Sequence, residues 1–337
     1  MRGPLGWGIL GTGNIAGQFV TSLSHATRGR VVAVGSRCAE TADRFAQAHG
    51  IESAYGSYEQ LIGDPAVEVV YNALPNSEHH RWTMASLAAG KHVLCEKPMA
   101  ASLSEAEAMF DEAARRGLVL VEAFMYRCHP LVAVVKNLIN EGRIGKVQLV
   151  RTSFCFSTKR LQDNVRFRAD LAGGSLMDVG CYCLDFARLI VGSEPIRVHA
   201  VGRLHESGVD RLVAGTMEFG DGCIATFTCG MMTQMDNSAF ISGSDGYIRI
   251  PVPWKPGTHA QVMVCGMMPP RQDKPAQGSG PWQETIDVTS SRPLFALEAD
   301  AFAATVVEGA DRAITVEETL GNMKILDEMR RQMGLSY

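Results

Sequence analysis

Tyr71–Pro98 reads YNALPNSEHHRWTMASLAAGKHVLCEKP. The short apolar run Glu68–Leu74 stops at Pro75, His79–Ala89 has helical spacing and ends at Gly90, and His92–Cys95 is a second apolar run that delivers Glu96, Lys97 and Pro98 at its carboxyl end. Two buried strands joined by a helix are the repeating unit of a parallel sheet, and in such sheets ligands sit outside the carboxyl ends of the strands. Both strand ends here carry polar residues, Asn76 and His79 after the first and Glu96 and Lys97 after the second. A lysine at such a point is usually a solvated loop residue, so its meaning depends on the rest of the chain.

Upstream, the strand Leu5–Leu10 runs into Gly11-Thr12-Gly13-Asn14-Ile15-Ala16, a G-x-G-x-x-A loop that opens a helix from Ile15 to His25. Gly11 permits the tight turn, Gly13 lets backbone approach a pyrophosphate, and Ala16 lets helix and strand pack closely; the helix start, at Asn14 and Ile15, attracts phosphate. A second strand, Arg30–Ser36, follows at the expected distance, which makes a dinucleotide site the expectation. NAD sites carry Asp or Glu at the end of this strand to hold the ribose 2′-hydroxyl. This chain has Ser36-Arg37 instead. No carboxylate is there to repel a 2′-phosphate and a guanidinium is there to hold one, so the expected cofactor is NADP(H) rather than NAD(H). The alternation continues through a helix Ala39–His49, a strand Glu52–Tyr55, a short helix Ser57–Ile62, a capped helix from Ser102 to Arg116 and a strand Leu118–Glu122. Six strands alternating with helices predict a doubly wound parallel sheet over residues 1–122.

From 123 to 337 the pattern changes to α+β. Leu131–Glu141 and Ser175–Val191 have helical spacing, Lys146–Ser157 reads as a long strand, and Ile196–His205, Leu212–Phe219, Cys223–Cys229, Ser238–Ser242 and Tyr247–Pro251 read as strands with no helices between them. Gly220-Asp221-Gly222 and Ser244-Asp245-Gly246 are hairpin signals. The expectation is a large, mostly antiparallel open sheet with helices on one face. A Pro-, Gly- and Gln-rich loop at Pro269–Pro281 and two closing helices, Phe295–Glu308 and Val316–Met333, complete it. In the Ser175 helix, Asp178, Tyr182 and Asp185 are spaced to share a face. An uncovered sheet face needs a partner surface, which predicts a homodimer or larger homo-oligomer.

Composition narrows the classes. The net charge of −4, with no long basic run, argues against nucleic acid as a partner. No apolar stretch approaches a membrane span, and the start has no signal-peptide pattern. The nine cysteines are scattered without C-x-x-C, which reads as reduced thiols and a cytoplasmic protein. His79-His80 is the only close histidine pair, and adjacent helical residues point apart, so no metal is expected.

Taken together, GILGTGNIA, ALPNSEHH, AGKHVLCEKP, EAFMYRCHP and GGSLMDVGCYCLDFAR resemble the Gfo/Idh/MocA oxidoreductases, with the likeness running over nearly the whole chain. Among its branches the chain is most similar to the dihydrodiol and NADP-linked xylose dehydrogenases. The resemblance implies a Rossmann domain, an open-faced α/β domain, a catalytic lysine in the E-K-P motif (here Lys97), and an Asp and a Tyr or His four residues apart (here Asp178 and Tyr182). On this reading Tyr182 exchanges the alcohol proton, while Lys97 polarises the substrate oxygen and lowers the phenol pKa. Asp178 orients Lys97 or the substrate hydroxyls. Pro75 shapes the floor under the nicotinamide, with Asn76, His79 and Glu96 nearby; Leu74 is a further cofactor-binding residue, and Arg127 is a neighbour of cofactor or substrate. The implied substrate is an aldose, cyclic polyol or dihydrodiol. The alternatives are a keto- or anhydro-sugar reductase and a catalytically idle NADP(H)-binding sensor.

Overall fold

The computed structural model of the protein describes residues 3–161, 164–267 and 281–335. The chain opens with β1 (Leu5–Leu10), α1 (Asn14–Leu23), β2 (Gly29–Gly35), α2 (Ala39–His49), β3 (Ser53–Tyr55), α3 (Tyr58–Gly63), β4 (Val69–Asn72), α4 (Asn76–Ala88), β5 (His92–Glu96), α5 (Leu103–Arg116) and β6 (Leu120–Ala123). All strand pairs are parallel, in the order β3-β2-β1-β4-β5-β6. Every residue of β1 and β4 is buried, because helices cover both faces. The strand order reverses between β1 and β4, which opens a crevice at their carboxyl ends. Capping sharpens the boundaries: Ser102 accepts from the Glu105 amide at the start of α5, and Gly117 ends it in a left-handed conformation.

The second half begins with α6 (Pro130–Asn140) and β7 (Val147–Cys155). A strap of short 3₁₀ turns then leads to a π turn (Leu176–Gly180) and α7 (Cys181–Val191). The remaining elements are β8 (Pro195–Leu204), β9 (Asp210–Phe219), β10 (Ile224–Gly230), β11 (Ala239–Gly243), β12 (Tyr247–Ile250), β13 (His259–Met267), β14 (Pro281–Thr289), α8 (Leu294–Glu308) and α9 (Val316–Gln332). Eight strands form one sheet, β14-β13-β12-β11-β7-β10-β9-β8, in which β7–β10 is parallel and the other pairs are antiparallel. Both expected hairpins are present, joining β9 to β10 and β11 to β12. The stretch Pro269–Pro281, read as a loop, lies outside the described residues except for Pro281, which begins β14.

Three features depart from the expectation. β13 and β14 lengthen the sheet by two strands. The helix from Ser175 is not continuous, since the Cys181 amide bonds the Leu176 carbonyl across a π turn. The last two helices also return to the first sheet. Phe302 of α8 lies 5.4 Å from the Trp7 ring and Phe295 lies 6.2 Å from Phe19. Asp300 accepts from the amides of Thr27 and Arg28 at 3.0 and 2.9 Å. The Rossmann half is thus completed by residues from the far end of the chain.

Candidate active site

The crevice between β1 and β4 has the features a pyrophosphate requires. Gly11 has φ +96°, and a side chain there would meet Leu74 Cδ2 at 3.1 Å and the Ala73 carbonyl at 3.3 Å. A Cβ at Gly13 would meet nothing within 4 Å, so its glycine answers to no neighbour in the chain and leaves room for a ligand. Gly13 starts α1 without a side-chain cap, and Asn14 and Ile15 lie open to half-open beside it, so the amide groups of the first turn remain available to an anion. At the end of β2, Ser36 is buried and Arg37 is exposed. Burial raises the Tyr58 phenol pKa, and the adjacent Arg37 guanidinium partly offsets that rise. Glu40, a carboxylate in the first turn of α2, accepts from the Cys38 thiol at 2.8 Å.

Lys97 leaves the end of β5 and crosses to the π turn. Its Nζ donates to the Asp178 carbonyl at 2.7 Å and to Asp178 Oδ1 at 3.3 Å. On the other side of the carboxylate, Arg166 Nε donates to Asp178 Oδ2 at 2.6 Å. Burial alone would raise the Asp178 carboxyl, but Lys97 and Arg166 overcome it and hold the group below the ordinary range. Burial, the largest single influence, pulls the Lys97 pKa down, but Asp178 together with Glu96 and other neighbours outweighs it, so Lys97 stays protonated. π turns recur at functional positions because the extra residue re-aims side chains. Here the π turn presents both the carbonyl and the carboxylate of Asp178 to one ammonium.

Tyr182 follows one turn later, and its geometry differs from the expectation. Lys97 Nζ stands over the ring, 5.3 Å from its centroid, while the hydroxyl faces Met125 Sδ at 3.4 Å. The phenol pKa is pushed well above its ordinary value, first by burial and then by the negative charge of Glu96. Lys97 therefore touches Tyr182 through the π face, while burial and the surrounding negative charges keep the phenol pKa above its ordinary value. Phe124, Phe154 and Trp254 ring it at 5.1, 5.4 and 6.1 Å, edge-on or tilted, which fixes the phenol plane.

The other expected neighbours are placed as follows. Pro75 caps the start of α4, and Leu74 packs against the Gly11 turn. Asn76 Nδ2 donates to the Ala172 carbonyl at 2.8 Å, tying α4 to the strap before the π turn. His79 is fully buried, with its two ring nitrogens 2.9 Å from the Pro98 carbonyl and 2.8 Å from the Leu74 carbonyl, so it ties the two strand ends together and meets no open surface. Glu96 is also buried; it accepts from the Tyr71 hydroxyl and from the Lys97 amide at 3.2 Å, and burial raises its pKa. Arg127 requires a correction. Its guanidinium is buried against α9, with Nε donating to the Ala313 carbonyl at 3.2 Å, Nη2 paired with Glu318 and Nη1 3.8 Å from Asp185. Burial among fixed acceptors makes it a structural brace, not a neighbour of cofactor or substrate. Asp185 likewise turns to Tyr126 and Arg127 rather than joining Asp178. Arg166 and Lys255 stand at the site without having been expected. Both lie in irregular connections, and the basic run around Arg166 was the only available signal.

Comparison with known proteins decides the family. Residues 5–124 match the oxidoreductase family with an NAD-binding Rossmann fold, and residues 132–249 match the GFO/IDH/MocA C-terminal domain. The chain belongs to the Gfo/Idh/MocA oxidoreductases. Among relatives, it is 38% identical to the trans-1,2-dihydrobenzene-1,2-diol dehydrogenase of Mus musculus over 99% of this chain and 98% of that one. It is 34% identical to a D-xylose 1-dehydrogenase (NADP(+)) of Haloferax volcanii over 95% of each. Among solved structures, a 3-ketoreductase from Actinomadura kijaniata in complex with NADP and TDP-benzene superposes with a TM-score of 0.88 at 30% identity, covering 98% of both chains. This Gfo/Idh/MocA member is an NAD(P)-binding oxidoreductase.

Proposed function

We propose that the protein moves a hydride between NADP(H) and a CH–OH group of an aldose, cyclic polyol or dihydrodiol, with Lys97, Asp178 and Tyr182 around the reacting oxygen. The observation that carries this reading is the Lys97 ammonium, fixed by two hydrogen bonds to Asp178 at the carboxyl end of β5 while lying against the Tyr182 ring. When bound, the nicotinamide supplies the carbon that accepts or gives the hydride. Lys97 is placed to polarise the substrate oxygen, Asp178 keeps that ammonium charged and aimed, and Tyr182 exchanges the alcohol proton. The substrate class follows the dihydrodiol and xylose dehydrogenases to which the chain is similar. NADP(H) is favoured over NAD(H) by Arg37 at the end of β2 and by the NADP named for the xylose dehydrogenase and the ketoreductase. Nine free thiols fit a reducing compartment such as the cytoplasm.

One observation favours a second reading. The Tyr182 hydroxyl points at Met125, and its phenol is raised rather than lowered. In that reading Lys97 passes the proton and Tyr182 is a wall of the pocket. Substitution separates the two. With Tyr182 as the acid–base, Tyr182→Phe loses about 10²–10⁴ in turnover with NADP(H) affinity intact. Lys97→Met falls as far, and the double variant is little worse than either single one. If Tyr182→Phe turns over near the wild-type rate while Lys97→Met does not, Lys97 carries the proton.

A further inference from the structure

Three cations converge on the mouth of the site, more than a neutral polyol requires. Among its described residues, the strap between β7 and the π turn carries Lys159, Arg160, Arg166 and Arg168 against Asp170, in a chain whose net charge is −4. The strap is anchored where it meets the site. The Gly174 amide donates to the Arg166 carbonyl at 2.9 Å and the Gly173 amide to the Arg168 carbonyl at 3.0 Å. A Cβ at Gly173 would stand 2.5 Å from the Arg166 carbonyl, so this approach needs glycine. Asn76 holds the strap from the Rossmann side. Arg166 is therefore fixed at its backbone and by Asp178 at Nε, while 44% of its side chain remains exposed.

Lys255 comes from the other side of the site, next to Trp254, whose ring lies 6.1 Å from the Tyr182 ring. The Trp254 indole donates to the Ser153 carbonyl at 2.8 Å, and its ring stacks on Phe154 at 5.6 Å and 9°. As a residue Lys255 is exposed, but its ammonium is partly enclosed: burial and then the positive charge of Lys97 push its pKa down, against the pull of Glu96 and Asp178. Lys97, Arg166 and Lys255 thus share one field. Against these three positive charges stand two carboxylates, Asp178, already shared between Lys97 and Arg166, and Glu96, which is buried on Tyr71. Like charges held this close repel, and an anion on the ligand relieves that repulsion.

We infer that the substrate carries an anionic group, a carboxylate or a phosphate, which Arg166 and Lys255 hold beside the carbon whose hydroxyl meets Lys97. An arginine fork matches the oxygen geometry of either group, and an exposed lysine adds a point charge. The inference rests on the hydride-transfer reading and narrows its substrate class to acidic sugars or polyols.

The test compares D-glucose, D-glucuronate and D-glucose 6-phosphate with the NADP-saturated enzyme. At least one anionic sugar exceeds glucose in kcat/KM by about tenfold or more at low ionic strength, and salt erodes the advantage. The better of the two identifies carboxylate or phosphate as the group. Arg166→Gln and Lys255→Gln each lower the anionic-to-neutral ratio by about 10–100-fold, the worth of a hydrogen bond to a charged group. Lys255→Gln is the safer variant, because the residue is exposed and makes no contact with Asp178 that folding depends on. Glucose turning over as well as both anions, or a ratio unmoved in both variants, overturns the inference and leaves hydride transfer standing. If none of the three is oxidised, hydride transfer to this class fails, and calorimetric titration of the NADP-loaded protein decides the anion site. Binding of either anion tighter than glucose, lost in Arg166→Gln, supports it, and equal binding overturns it.

Discussion

At the scale of single residues, the proposed choice of NADP(H) rests on Arg37, exposed at the end of β2. Arg37→Ala is expected to weaken NADP(H) by about 1.5–3 kcal/mol, the range for a hydrogen bond to a charged group, and to leave NAD(H) nearly unchanged. Equal losses for both cofactors in a fluorescence titration would count against that role. Glu122, buried at the end of β6, accepts from the Met99 amide at 2.9 Å, and burial followed by the Asp185 charge pushes its pKa up to about 8. In the unfolded chain the same group titrates near 4.3. Between these two values the native state holds a proton that the unfolded state has lost, so Glu122 makes stability fall as pH rises through that window and level off above it. Glu122→Gln keeps an acceptor for the Met99 amide and removes the titration. Denaturant midpoints at pH 5.5 and pH 8 should therefore lie closer together in the variant than in the wild type, and an unchanged gap would mean that Glu122 is ionised in the fold. The Gly11 loop and the position of Lys97 were legible because motif and strand end coincide, and Asp178 was legible from helical spacing and the family resemblance. Arg166 and Lys255 were not, because irregular connections have no period to read. The Tyr182 environment was misjudged because the number of neighbouring aromatic rings is a tertiary quantity.

At the scale of elements, α9 links the two halves of the site. On the Rossmann side, Arg330 Nη1 donates to the Ala101 carbonyl at 2.6 Å and Asp327 Oδ2 accepts from the Leu103 amide at 2.8 Å, both just after Lys97 and Pro98. On the other side, Asn322 Nδ2 donates to the Cys181 carbonyl at 3.2 Å, one residue before Tyr182, and Arg188 donates to the Glu318 carbonyl at 2.8 Å. One helix therefore sets the Lys97 loop against the π turn, and small misplacements at reacting groups are costly. Asn322→Leu should lower kcat/KM by about tenfold while the NADP(H) dissociation constant, set at the Gly11 loop, stays within twofold, on the scale of a lost hydrogen bond of about 1 kcal/mol. A matched fall in cofactor affinity would show general loosening instead. Amphipathic spacing gave α9 its limits to within a residue, from Val316 to Gln332. Its partners were not readable, because the surface a helix covers depends on where the chain returns. β13 was overlooked although Ala260, Val262 and Val264 alternate inward, since the Pro- and Gly-rich stretch after it draws the reading toward a loop.

At the scale of the whole molecule, the eight-stranded sheet has one face that carries no helix among the described residues. Strand register puts Val201, Ile224, Arg151, Phe240, Tyr247 and Arg249 on that face, away from α7. Ile224 is 45% and Val201 61% exposed, and Phe240 lies between the Arg151 and Arg249 guanidinium groups at 4.1 and 5.8 Å. A groove of about 560 Å³ runs across it, lined by Arg151, His199, Thr216, Thr226 and Met235 among others. Eight strands at about 4.8 Å spacing and about eight residues long give a face of roughly 1,000 Å², enough for the ~800 Å² per partner of a standard stable interface. The mixture of aliphatic side chains with arginine-stacked aromatics also suits an interface better than open water. The protein is expected to sediment as a homodimer, or a larger even assembly, at micromolar concentration. Ile224→Arg, which puts a charge on this face at the start of β10, should shift it to monomer. Because Lys97 and Tyr182 lie on the opposite side of the sheet, the monomer should retain substrate turnover within a few-fold. A wild-type protein that sediments as a monomer at ten times that concentration would mean that the sheet face is solvated, with its arginines keeping Phe240 and its neighbours from aggregating.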